Sequence, residues 1–105
     1  MKTNEIKKGE KIFEEGQEAN SVYLIKSGEV VVKFGQLEEK LEKNDVIGIE
    51  SLINENYTES AIAHTDVKLT ELTPEEFKEL YSGTDVEKKA IKSFTKRTMK
   101  LLGWL

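Results

Sequence analysis

The chain contains no cysteine, which excludes disulfide frameworks, iron–sulfur clusters and thiolate catalysis within it and makes the cytosol its expected compartment. Histidine occurs once, as His64. A three-histidine metal site therefore cannot be built from one copy, and Ser51, Ser60 and the threonines have only this imidazole as a candidate base. No catalytic, cofactor-binding or metal-ligating set is assigned, and the chain is expected not to be an enzyme. Arginine is absent before Arg97. No apolar run approaches the ~18 residues of a membrane span, and the opening MKTNEIKKGEK lacks the hydrophobic segment of a signal peptide.

What remains is a chain of 105 residues, enough for one small domain with a single core that buries about 60–65% of the unfolded surface. Its formal net charge of −4 is modest and argues against nucleic-acid binding by the body of the domain. The balance is uneven. Residues 85–105 carry Lys88, Lys89, Lys92, Lys96, Arg97 and Lys100 against Asp85 and Glu87, so this tail is net +4 and the rest net −8. Such a run reads first as a solvated helix face and second as a basic contact surface.

Short β-forming runs separated by turn residues fill the first two thirds of the chain. Ile6 to Phe13 reads as a strand interrupted at Lys8-Gly9, and Glu15-Gly16 as a turn. In Ser21-Val22-Tyr23-Leu24-Ile25, Tyr23 and Ile25 share one face and Val22 and Leu24 the other. Ser27-Gly28-Glu29 turns the chain, Val30, Val32 and Phe34 alternate with Val31 and Lys33, and Gly35-Gln36 closes a hairpin onto Leu37 to Leu41. Ala61 to Leu72 supplies two further strands broken near Asp66. Turns every 8–12 residues are the signature of a sandwich or jelly roll. Thr73-Pro74-Glu75-Glu76 then offers a cap, a proline suited to the first helical position and acids at the positive dipole end. This predicts a helix over about 74–81 and, after Ser82-Gly83-Thr84, a long helix over about 85–102 ended by Gly103. Residues 1–73 are thus expected to form a β-roll and 74–105 the C-terminal helices of the same domain.

Ile12, Phe13, Glu15, Gly16, Ala19, Tyr23, Ile25, Gly28, Val30 and Val32 fall at spacings that resemble the cyclic nucleotide-binding domain of bacterial CRP/FNR-type regulators, and the likeness continues with interruptions to about Tyr81. The resemblance implies a mainly β fold, a double-stranded β-helix or jelly roll of cupin-like form followed by C-terminal α-helices. In that family a loop glycine is followed by a glutamate for the ribose hydroxyl, and eleven residues after the glycine comes an arginine for the phosphate. The segment DVIGIESLINENYTESAIA fits without a gap, with Gly48 at the glycine, Leu52 at a packing leucine and Ser60-Ala61 after the phosphate position. Asn44, where glycine is usual in the preceding turn, tolerates the left-handed conformation. This register puts Ile49 at the ribose glutamate and Glu59 at the phosphate arginine.

Both changes oppose nucleotide binding. A guanidinium gives a phosphate two charge-assisted hydrogen bonds, whereas a carboxylate has no donor and, at ~4 Å with an effective dielectric near 20, repels it by about 4 kcal/mol. Ile49 leaves a ribose hydroxyl unpaired. A one-residue slip could bring Glu50 to the ribose, but it would send that side chain to the opposite face and leave Glu59 uncorrected. No lysine lies between Lys43 and Lys68 to act as a substitute cation. The degenerate pocket is therefore expected at Gly48, Ile49, Glu50, Ser51, Leu52, Glu59, Ser60 and Ala61, without cAMP, cGMP or another cofactor.

Along the long helix Ile91, Phe94, Thr98, Leu101 and Leu105 repeat at spacings of three and four, a heptad seam. In similar regulators the corresponding helix pairs with its twin, which implies a homodimer; the other reading packs these residues back on the chain's own roll. The resemblance also implies a fused output domain or a protein partner, but the sequence stops at Trp104-Leu105, with no DNA-binding motif. The leading expectation is a non-enzymatic regulatory or interaction module in signal transduction. The alternative is the sensor domain of a signalling or transcription regulator that binds a different small ligand, cationic or neutral, or a cyclic nucleotide in a non-standard way.

Overall fold

The computed structural model describes residues 1–104. Eight strands precede two helices: β1 (Lys2–Ile6), β2 (Lys11–Phe13), β3 (Val22–Ser27), β4 (Val30–Phe34), β5 (Leu37–Leu41), β6 (Val46–Ile47), β7 (Ser60–Ala63), β8 (Val67–Leu72), α1 (Pro74–Tyr81) and α2 (Asp85–Leu101), with a 3-10 turn at Ile49–Ile53 between β6 and β7. The strands form two antiparallel four-stranded sheets ordered β1-β8-β3-β6 and β2-β7-β4-β5. This is the mainly β roll with C-terminal helices.

The period-two pattern of β3 divides the molecule into two cores. Ile25, with Tyr23 beside it, faces the space between the sheets, where Phe13, Val30, Val32, Ile47, Ala61 and Leu69 are buried. Val22 and Leu24 point the other way and pack with Leu72, Phe77 and Ala90, so the outer face of this sheet carries the helices. Removing such a side chain from water contributes about 1.5–3 kcal/mol, and β3 does so on both faces. Phe13 and Tyr57 stack at 3.9 Å between centroids with 12° between planes, fixing the end of the loop that precedes β7.

Two turns show why their residues were needed. At Gly28 (φ 86°) a Cβ would meet the Asp66 carbonyl at 2.3 Å, so the β3–β4 turn can press against the β7–β8 turn only without a side chain. Asn44 takes the left-handed conformation at φ 75°. The sequence expectation missed β1: Lys2–Ile6 pairs along its length with β8, from Lys2 opposite Glu71 to Ile6 opposite Val67. Its residues are mostly exposed because it is an edge strand, so the backbone ladder rather than apolar alternation holds it.

α1 begins in a full capping box, with the Thr73 hydroxyl accepting from the Glu76 N–H at 3.1 Å and the Glu76 carboxylate accepting from the Thr73 N–H at 2.9 Å. Thr84 caps α2 in the same sense through the Glu87 N–H. Ala90, on the second turn of α2, is buried against the outer face of the sheet and lays the helix alongside the loop.

Candidate functional site

The loop between β6 and β7 is built on Gly48. Its φ is 82°, and a Cβ there would meet the Ser21 carbonyl at 2.9 Å and the Tyr57 ring at 3.2 Å. The 3-10 turn that follows ends at Asn54, also left-handed at φ 56°. Ser51 is buried and its hydroxyl donates to the Gly48 carbonyl at 2.9 Å. Ser60 opens β7 and accepts from the Glu15 N–H at 3.1 Å, while Ala61 is buried between the sheets. Gly48, Ser51, Ser60 and Ala61 thus form the frame of the loop. Ile49, Glu50, Leu52 and Glu59 are brought together on a cavity of about 600 Å³ between the loop and α2.

The opposite wall of that cavity is the helix seam. Ile91, Phe94, Thr98 and Leu101 all line it, so this face of α2 looks at the chain's own loop; Leu105 lies outside the described residues. Ile91 and Leu101 are nevertheless about half exposed, at 49% and 50%, and form the rim.

One residue of the helix was misplaced by the charge pattern. Arg97, counted among the cations of a solvated face, is buried at 1% exposure. Its Nε donates to Glu59 Oε2 at 2.6 Å and its Nη2 to Glu59 Oε1 at 2.9 Å, a bidentate pair, while Nη1 donates to Ser93 Oγ at 2.6 Å. The guanidinium also lies 5.6 Å from the centre of the Phe94 ring. Burial raises the Glu59 carboxyl above its ordinary range; the hydrogen bonds and charge of Arg97 pull it back, and the charge of Glu50 adds to the rise. Thirty-eight residues separate the partners, so no local pattern revealed them. The available signal was compositional: the only arginine of the chain lies on a helix, and the loop position expected to hold one has a carboxylate.

Glu50 is the second buried carboxylate, at 3% exposure. Its Oε2 accepts from the Thr58 N–H at 2.7 Å and the Thr58 hydroxyl at 2.9 Å, tying the two ends of the loop together. Its Oε1 has no partner among the described residues. The site therefore offers chiefly apolar walls, with both buried carboxylates held inside the protein. It offers no guanidinium free for a phosphate, since the donors of Arg97 that face Glu59 are engaged. Among the described residues no cluster of histidine, cysteine and carboxylates is arranged to hold a metal ion.

The family model for the cyclic nucleotide-binding domain matches residues 3–84. The chain belongs to that family. No curated protein matches it. Among solved structures, PKAR CBD2 bound to Sp-2Cl-cAMPS superposes with a TM-score of 0.79 at 22% identity, covering 97% of this chain and 71% of that one, a likeness of fold. The cAMP-bound form of the EAL enzyme Bd1971 gives 0.71 at 28% identity, with 97% of this chain and 29% of that one covered. The regulatory domain of Toxoplasma gondii PKA with cAMP gives 0.72 at 26% identity, with 90% and 39% covered. The chain thus spans about a third of the length of the last two. No helix of the described residues is long and apolar enough to cross a membrane.

Proposed function

We propose that this domain is a non-enzymatic, cytoplasmic regulatory module of the cyclic nucleotide-binding family that does not take cAMP or cGMP. The observation that carries this reading is the buried Glu59–Arg97 pair. Where the family motif calls for a guanidinium facing the ligand, this chain has a carboxylate already paired with the arginine of its own helix. A cyclic phosphate entering there would have to displace Arg97 from Glu59 or lie against a carboxylate, and either costs several kcal/mol. The solved relatives that hold cAMP support descent from a nucleotide-binding fold, and this reading departs from them on the strength of Glu59 and Arg97 alone. The eleven-residue spacing from Gly48 to Glu59 supports placement with the CRP/FNR regulators.

The test is conversion. Ile49→Glu with Glu59→Arg restores the motif, but Arg97 would then face a second guanidinium, so Arg97→Gln must accompany them. The triple variant is expected to bind cyclic nucleotide in calorimetry while the parent does not. Failure of a folded triple variant to bind would remove the assigned loop register.

In this reading the output runs through protein contacts, and Ile91 with Leu101 forms an apolar edge that a twin helix would cover in a homodimer. Light-scattering mass decides it: a monomeric parent, or a dimer unchanged by Ile91→Asp with Leu101→Asp, removes that interface. A second reading, a sensor of another small ligand, is favoured by the largely apolar cavity between the loop and α2.

A further inference from the structure

The cavity between the loop and α2 is lined from three elements and has almost no charge to offer. Phe34 of β4, itself buried, lines it together with Ile49 and Leu52 from the loop and Ile91, Phe94 and Leu101 from α2. Its volume of about 600 Å³ is that of a small-molecule site. The polar residues of the lining are already engaged within the protein. Arg97 holds the Glu59 carboxylate, the Thr58 hydroxyl donates to Glu50 Oε2 at 2.9 Å, and the Thr98 hydroxyl donates to the Phe94 carbonyl at 3.0 Å. Glu50 and Glu59 are only 3% and 2% exposed, so neither turns an open carboxylate to an occupant, and Glu55 stands exposed to water.

These facts sort the possible occupants by charge. An anion finds no free cation, because Arg97 is committed to Glu59 and Ser93. A cation finds no open carboxylate within the walls, and either ion would give up hydration that the lining does not replace. An extended peptide brings backbone N–H and C=O groups that apolar walls leave unpaired. A second copy laid over Ile91 and Leu101 covers the half-exposed rim but does not fill the space beneath it. An uncharged apolar molecule pays none of these costs and gains from leaving water. We propose that the cavity between the loop and α2 binds a compact, uncharged apolar molecule, held by Ile49, Leu52, Ile91, Phe94 and Leu101. This rests on the second reading above, of a sensor that takes a ligand other than a cyclic nucleotide.

The test uses three probes on one rigid cage, 1-adamantanol, the cation of 1-adamantanamine and the anion adamantane-1-carboxylate, each titrated into the chain and followed by amide chemical shifts. The charge sits directly on the cage and has no tether on which to stay outside. The alcohol is expected to bind about fivefold or more tighter than either ion, with shifts confined to the loop and α2. Thr98→Asp plants a carboxylate on the lining and is expected to weaken the alcohol about fivefold and make the amine the tightest of the three, whereas Thr98→Val keeps the alcohol within about threefold of the parent. Thr98 is exposed, so the fold should tolerate both changes; should Thr98→Asp not fold, Ile91→Glu on the half-exposed rim makes the same test. Equal binding of the three probes, tightest binding by either ion, an alcohol affinity untouched by the planted carboxylate, or silence from all three overturns the proposal. So do shifts that follow the concentration of the chain rather than of the probe, which would mean that a second copy fills the cavity. Titrating cAMP and cGMP alongside separates the two levels, because nucleotide binding overturns the underlying reading, whereas nucleotide silence without a preference for the alcohol overturns only this inference.

Discussion

Glu50 and Glu59 stand nine residues apart in one loop, both buried, yet the molecule treats them in opposite ways. Glu59 is answered by a guanidinium from a distant helix. Glu50 is answered by the backbone and hydroxyl of Thr58 on one side and by nothing on the other. The difference teaches that one carboxylate of the loop is closed by an ion pair from within, while the other keeps an oxygen without a partner among the described residues. A closed ion pair holds α2 to the roll without any ligand. The unpaired oxygen of Glu50 is instead a cost that the fold bears.

The largest effect in this comparison belongs to the closed end. Arg97→Met is expected to cost about 3–5 kcal/mol in urea unfolding at neutral pH, because it strands a buried carboxylate rather than because the pair itself is worth so much. Glu59→Gln combined with Arg97→Met should therefore recover most of the loss. A double variant as unstable as the single one would mean that the guanidinium acts by packing alone.

Next comes the open end. Glu50→Gln keeps the acceptor for Thr58 and removes a charge beside Glu59, so stability is expected to rise by up to about 1 kcal/mol, measured by the same unfolding curves. A loss of several kcal/mol would show that Glu50 has a cation partner in solution.

The pH dependence sharpens the contrast with a third carboxylate. Glu59, raised in the fold, binds its proton more tightly there than in the unfolded chain, so its contribution is fullest below the ordinary glutamate range and is lost as pH rises through its folded value. Glu71 goes the other way. Burial alone would raise it, but hydrogen bonds from Ser21 and Asn4 and the charge of Lys2 outweigh burial and hold it below its ordinary value. Its contribution is present above that ordinary value and lost as pH falls through the folded one. In stability measured against pH, Glu71→Gln should flatten the acid side and leave the slope above the ordinary glutamate range in place. The smallest effect is expected at the surface: Lys89, 3.1 Å from Asp45 and 57% exposed, should contribute under about 1 kcal/mol when replaced by alanine.

How much of this was legible depends on the range of the interaction. Turns, caps and alternating strands are local. Gly28, Asn44, Thr73 with Glu76, and the two faces of β3 could therefore be read from neighbouring residues. β1 could not, because its polar side chains give no alternation and its backbone ladder depends on β8, more than sixty residues away. In the loop, the family's spacing located Glu50 and Glu59, but spacing cannot tell a solvated cation from a buried one. Arg97 sits among lysines that do face water, and Ala90, Ser93 and Arg97 make a narrow stripe beside the more apolar Ile91, Phe94 and Leu101. The pair became visible only when α2 lay against the loop.

The most direct test of the account is calorimetric titration of the chain with cAMP and cGMP at protein concentrations that would register millimolar binding. The account predicts no binding heat from either nucleotide, with Glu59 held by Arg97. Micromolar binding would contradict it, since a phosphate could then be accommodated beside Glu59, or lies elsewhere in the fold.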